Sequence, residues 1–276
     1  MTAPPDQDLV AFAQLVEALR PWHGQLVVIG GWAHRLHRLL PNATIPSHQP
    51  VSTLDADVAF DTKARLVGSI GNALKSAGFR EELSAKHEPP VSSYGLGDGS
   101  VFYAEFLTPL VGSEHKRGGS LDATETRAGV TAQKLRHLDV LLATPIQLAL
   151  LPDGLIPVER TAQILVAHPV CFVAQKLLIA DRRPREKRSQ DVLYVHDTIE
   201  LFAASLGKLN EHWESSVRST LPKNAIAELH RVIDTQYGKV TDAIRSASLI
   251  PQDRSLIPER LQMRCALGLK RIFGDA

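Results

Sequence analysis

The run Thr53-Leu54-Asp55-Ala56-Asp57-Val58-Ala59-Phe60 constrains this chain more than any other stretch. Two carboxylates stand two residues apart inside an apolar segment. Side chains in a β-strand alternate faces, so Asp55 and Asp57 point the same way. Leu54, Ala56 and Val58 then point the other way, into a core. Two carboxylates on one face raise each other's pKa unless a cation lies between them. A divalent metal resolves that conflict, and Mg²⁺ is usually held by one or two carboxylates together with substrate phosphates. The plainer alternative is an edge strand with two solvated aspartates, and the rest of the chain has to decide between them.

Two further features bear on that choice. Gln25 to Ile29 reads as a short buried strand, Gly30-Gly31 follows directly, and Trp32 to Leu40 reads as a helix stopped by Pro41. Glycine lets the backbone approach a ligand closely, and the helix start offers free N–H groups to a phosphate. Val101 to Leu107 reads as a strand carrying one acid, Glu105, between Ala104 and Phe106. If this strand neighbours the Asp55–Asp57 strand, three carboxylates converge at one end of a sheet. They would hold Mg²⁺ against nucleotide phosphates gripped by the glycine turn, with Glu105, or whichever acid the metal leaves free, able to deprotonate an incoming hydroxyl.

Glycine pair, Asp-x-Asp strand and a third acid on a later strand together resemble the nucleotidyltransferase superfamily of the DNA polymerase β type. The segment Phe172-Val173-Ala174-Gln175-Lys176-Leu177-Leu178-Ile179-Ala180, then Asp181-Arg182-Arg183, Lys187 and Asp191, resembles that of AbiEii-like nucleotidyltransferase toxins, including the MenT group. The likeness covers roughly residues 25 to 205. It implies an α/β (α+β) fold: a nucleotidyltransferase palm with a mixed sheet over residues 1–167, then a helical domain over 168–276. It also implies metal binding and catalysis by Asp55, Asp57 and Glu105, and nucleotide binding by Gly30, Gly31, Lys176, Lys187 and Asp191. The cofactor is Mg²⁺ (or Mn²⁺), the substrate an NTP, the acceptor tRNA or another RNA, and a further partner a cognate antitoxin. The spacing from Gly31 to Asp55 is longer than in most members, implying an inserted loop over 41–52. Two rivals remain: the same chemistry on a small molecule or a protein side chain, and a non-enzymatic nucleotide or RNA binder.

Elsewhere the pattern is less specific. Helices are expected over 8–20, 62–77, 145–151, 170–180 and 189–206, strands over 79–83, 135–142 and 163–167, and loops over 84–99 and 108–132. Beyond Pro169 the periodicity is helical, broken near Pro222, Pro251 and Pro258. Arg182 to Arg188 holds five basic residues. With a net charge of +1, any nucleic-acid surface has to be such a local patch. Lys187 and Asp191, four apart, also fit a simple helical ion pair. His34 and His37 are spaced as a metal pair but lack a nearby third ligand. Trp22, Trp32 and Trp213 read as core, with Trp32 alternatively a base-stacking residue. The two cysteines, Cys171 and Cys265, lack C-x-x-C spacing and read as free thiols of a reducing compartment. No signal peptide or apolar run of about 18 residues is present, so a cytoplasmic protein with no membrane partner is expected.

Overall fold

A computed structural model of the chain describes residues 7–84, 90–96, 101–115, 118–119 and 121–275. It divides into two compact units, Met1–Trp32 with Thr53–Ala167, and Ala33–Ser52 with His168–Ala276. No helix among the described residues is long and apolar enough to cross a membrane.

In the first unit α1 (Gln7–Ala18) buries Leu9, Phe12, Leu15 and Val16, the stripe its helical period places on one face. After it come β1 (Val27–Val28) and α2 (Gly30–Leu36), which begins in this unit and ends in the second. Trp32 is fully buried, stacked on Phe12 at 4.0 Å with Phe102 edge-on at 5.8 Å. It is a core residue with no face open to a base. The chain continues through β2 (Asp55–Ala59), α3 (Ile70–Ser76), β3 (Phe79–Ser84), β4 (Val91–Leu96) and β5 (Tyr103–Pro109). Then come β6 (Thr124–Arg127), β7 (Val130–Leu135), α4 (Asp139–Leu142), β8 (Ile146–Leu150) and β9 (Ala162–Val166). The sheet is mixed, in the order β3-β4-β5-β2-β1-β9-β8, with β7 joined to β5 and β6. β2 pairs parallel to β5 and antiparallel to β1, and β1 pairs parallel to β9.

Several expectations give way here. The helix expected over 62–77 starts only at Ser69, whose hydroxyl accepts from the Asn72 amide at 3.2 Å. Upstream carbonyls have distant partners instead: Trp22 Nε1 donates to Val67 at 2.8 Å, and Arg127 donates to Thr62 and Ala64. The polar stretch read as a loop over 84–99 contains β4. Its Tyr94 and Ser92 hydroxyls turn inward and donate to Glu81 of β3, so polar composition hides a paired strand. The loop expected over 108–132 holds the β6–β7 hairpin. Its two-residue turn, Ala128-Gly129, has positive φ at both positions (48° and 74°), the primed geometry that matches strand twist. The strand expected over 135–142 ends at Leu135, broken by His137 at φ 58°, and α4 follows. The helix expected over 145–151 is β8 instead, since Leu148 and Leu150 are buried while Gln147 and Ala149 are exposed, a period of two.

The second unit is helical. α5 (Pro169–Ile179) is apolar on nearly all sides and lies in the core. α6 (Arg185–Leu201) starts behind Pro184, earlier than the expected Ser189. α7 (Leu206–His212), α8 (Lys223–Val232), α9 (Asp242–Ser248) and α10 (Pro258–Phe273) follow. Trp213, just past α7, packs edge-on to Phe273 of α10 at 4.8 Å. The loop 41–52 is tied into this unit along its length. The Thr44 amide donates to the Leu201 carbonyl at 2.8 Å, Ser205 Oγ to the Asn42 carbonyl at 3.1 Å, and the Gln49 amide to Asp253 at 2.7 Å.

His168 caps α5. Its Nδ1 accepts from the Val170 amide at 3.2 Å and its ring stacks on His212 at 3.8 Å. Burial, then the charges of His212 and His37, push its pKa down to about 3. An unfolded histidine binds a proton near pH 6.5, so this group's stabilisation is complete above that pH and is lost as pH falls towards 3. His168→Asn keeps a capping oxygen and removes the titration. Its melting temperature is expected to fall less than the parent's between about pH 7 and about pH 4.5. Parallel curves would remove His168 from the acid response.

Candidate active site

The strand pair β2–β5 assembles the acidic face. In register, Asp55 lies beside Tyr103 and Asp57 beside Glu105. Neighbouring strands are about 4.8 Å apart, so Glu105 is as close to Asp57 as sheet geometry allows. Asp55, Asp57, Tyr103 and Glu105 are half-buried on one face, while Ala56, Val58, Ala104 and Phe106 are buried on the other. Leu54 departs from the expected alternation: it precedes the strand and is exposed. The Thr53 hydroxyl donates to Oδ1 of Asp55, orienting that carboxylate.

The glycine turn reaches the same place. β1 hydrogen-bonds along β2, ending with the Ile29 amide on the Asp57 carbonyl at 3.0 Å. The next residue, Gly30, is therefore packed against Asp57. A Cβ there would overlap Oδ2 of Asp57 and lie 2.9 Å from its Cγ. Gly30 also has φ +61°, a conformation side chains disfavour. Both constraints select glycine. Gly31 follows it, buried, inside α2.

The acidic face acts on its tyrosine neighbour. The Tyr103 phenol is pushed up to about 12, first by burial and then by the charges of Asp55, Glu105 and Asp57. A donor set of anionic oxygens suits a hard divalent cation. Asp55, Asp57 and Glu105 would hold Mg²⁺ or Mn²⁺, and the negative potential felt by Tyr103 is what that cation would neutralise.

The remaining expected nucleotide-binding residues lie in the second unit. Lys176 of α5 and Asp191 of α6 are both buried and paired, Nζ to Oδ1 at 2.8 Å. Lys176 Nζ sits 5.4 Å from the ring centroids of Phe172 and Tyr194. Arg183 Nε donates to the other Asp191 oxygen at 2.9 Å. Lys187 is exposed on the first turn of α6. The structure thus brings Lys176 and Asp191 together, with Arg183 as the second cation on Asp191.

A family model described as nucleotidyltransferase matches residues 7–218, from α1 past α7. The chain belongs to the nucleotidyltransferase family. Such enzymes use an NTP and generally a divalent metal. Among solved structures, the chain is similar to an antigenic nucleotidyltransferase-like protein from Paracoccidioides brasiliensis. The two share 16% identity over 82% of this chain and 89% of that one, with a TM-score of 0.42. No curated protein matches the sequence.

This nucleotidyltransferase carries a second group of metal-type ligands. Among the described residues, His48, Asp197 and Glu200 have ligand atoms within 4.8 Å of one another. Other side chains already occupy those oxygens. Arg254 NH2 lies 2.6 and 2.7 Å from the two Asp197 oxygens, and His196 Nδ1 lies 2.9 Å from one of them. Arg264 holds one Glu200 oxygen and His48 Nε2 the other, at 3.2 Å. The group is a charge network that fastens the 41–52 loop to α6. Arg38 braces the same loop through the His48 carbonyl at 2.9 Å. His34 and His37 are no metal pair: both are core residues, with His34 stacked near Phe172 and Tyr194 and its pKa pushed well down by burial. Tyr103 is the site residue that sequence reasoning missed. Its signal was available, two residues before Glu105 on one strand and so on the same face.

A buried ion pair that loses one partner leaves an uncompensated charge, which costs about 3–5 kcal/mol. Asp191→Ala is therefore expected to lower unfolding stability by about that amount in urea titrations. Lys176→Met with Asp191→Leu should restore most of it. An Asp191→Ala variant as stable as the parent would show the pair to be open to water.

Proposed function

We propose that this nucleotidyltransferase moves a nucleoside monophosphate from an NTP to a hydroxyl of RNA, with tRNA as acceptor, and serves as the toxin of a toxin–antitoxin or phage-defence system. The observation that carries the chemistry is the register of β2 and β5, which sets Asp57 beside Glu105 with Gly30 packed on Asp57. Asp55 and Asp57 would hold the metal, and Glu105 stands beside them as third ligand or as base. A divalent cation held there supplies charge neutralisation and alignment of phosphate oxygens. Gly30 and Gly31 let the backbone approach the phosphates. Glu105 takes the proton of the acceptor hydroxyl as its oxygen bonds to the α-phosphorus, and pyrophosphate leaves.

Resemblance to the AbiEii-like toxins assigns Lys176, Lys187 and Asp191 to nucleotide binding. That assignment rests on the resemblance, and within the second unit Asp191 holds the Lys176 ammonium in a buried pair. The RNA acceptor and the toxin role rest on the same resemblance. Exposed Arg182, Arg185 and Lys187 add a local basic surface suited to a phosphate backbone on a chain of nearly zero net charge. An antitoxin is the protein partner this reading requires.

The test is incubation with each α-labelled NTP, Mg²⁺ and total tRNA, followed by gel separation. Label in the tRNA band is expected with one NTP or a few. Label found only in small molecules or in protein would move the acceptor. No label with any NTP, despite nucleotide binding, would overturn the reading.

A further inference from the structure

The second unit carries an open cleft of about 550 Å³ between α6, α7 and α10. Its apolar lining includes Ile199 and Ala203 after it, Leu206 of α7, and Met263 and Leu267 of α10. Gly268 makes the floor, because a Cβ there would meet Ile199 at 2.5 Å. Met263 is 56% and Leu267 64% exposed, a large outlay of apolar surface on one helix. Cations flank them on the same side of the helix: Arg260, Met263, Arg264, Leu267 and Arg271 stand at i, i+3, i+4, i+7 and i+11, all exposed. The one acid on the rim, Glu200, has both oxygens engaged, by His48 and Arg264. The α10 residues lie beyond residue 218, outside the match to the nucleotidyltransferase family.

The geometry points to this cleft as the docking groove for an acidic amphipathic helix of a protein partner. An apolar stripe at three- and four-residue spacing on such a helix fills the groove between Leu206, Met263 and Leu267. Its flanking carboxylates meet Arg260 and Arg264 at the rim, where charge selects the partner and its orientation. A polynucleotide would satisfy the arginines and leave the aliphatic floor uncovered. Every residue of the groove belongs to the second unit, and none takes part in the proposed transfer reaction.

The test uses the full chain and a short fluorescent peptide with leucines on one helical face and glutamates flanking them, read by anisotropy. Saturable binding is expected for this peptide, and not for one of the same composition with the leucines scattered. Leu267→Glu should weaken binding by about tenfold or more. Arg260→Glu should weaken the acidic peptide and favour its glutamate-to-lysine counterpart, a charge swap that a purely structural defect does not mimic. Both positions are exposed, so the variants should keep the parent's melting temperature. No saturable binding, or equal binding of the scattered peptide, overturns the proposal. So does a dimer of the chain that Leu267→Glu dissolves, which would make the occupant a second copy. Anionic vesicles held through Leu267 would likewise overturn it in favour of a lipid surface.

Discussion

Asp57→Asn is expected to lower Mg²⁺-dependent transfer from NTP by about a thousandfold, since losing a metal ligand costs several kcal/mol of transition-state stabilisation. Asp57 is the carboxylate on which the other parts meet: Glu105 lies beside it in register, and Gly30 packs on its oxygens. The amide keeps the size of the side chain and removes its charge. Stability should move the other way. Three carboxylates on one half-buried face repel one another, so neutralising one relieves the metal-free fold, and the melting temperature should stay level or rise slightly. Opposite signs for activity and stability distinguish a ligand from a residue that merely supports the strand. A variant that keeps its activity, or that loses it only by unfolding, would contradict this assignment.

Gly30→Ala is the second large effect. Left-handed backbone costs a residue with a side chain about 1–2 kcal/mol, so stability should fall by roughly that much. The new methyl also meets Asp57, and must push either the carboxylate or the glycine turn aside. Displacements of about 1 Å in a reacting geometry cost on the order of a hundredfold, and transfer should drop accordingly. Gly24→Ala is the matched control, because nothing lies within 4 Å of a Cβ there. It should be neutral in both measurements. If Gly30→Ala is equally neutral, the turn does not share space with Asp57 as described.

The acidic strand was legible because its evidence is local. Alternation over Asp55 to Val58 places both acids on one face, and Glu105 stands out as a charge between Ala104 and Phe106. Other elements were hidden where local signals mislead. β4 carries serine, tyrosine and glycine, and reads as a loop until Glu81 is seen to accept from Ser92 and Tyr94. The β6–β7 hairpin turns on Ala128-Gly129, where alanine takes a position that asparagine or glycine usually marks. The helix before Gly78 reads too long in sequence because nothing local shows that Arg127 and Trp22 claim the upstream carbonyls. The 41–52 loop was the least legible of all. His48 finds Glu200 at a sequence separation of 152, and no pattern within the loop announces that bond. The same distance effect hides the Lys176–Asp191 pair, since Asp191 invites pairing with Lys187 one helical turn away.

The proposed function puts a divalent metal on the β2–β5 face, and the competing place for one is the His48, Asp197 and Glu200 group of the second unit. Mn²⁺ binding, followed by electron paramagnetic resonance in the presence of a non-hydrolysable NTP, separates them. The account predicts tight binding that is lost in Asp57→Asn and unchanged in His48→Gln. Binding that survives Asp57→Asn and disappears in His48→Gln would place the metal at the Asp197–Glu200 network and contradict the assignment of the β2–β5 face.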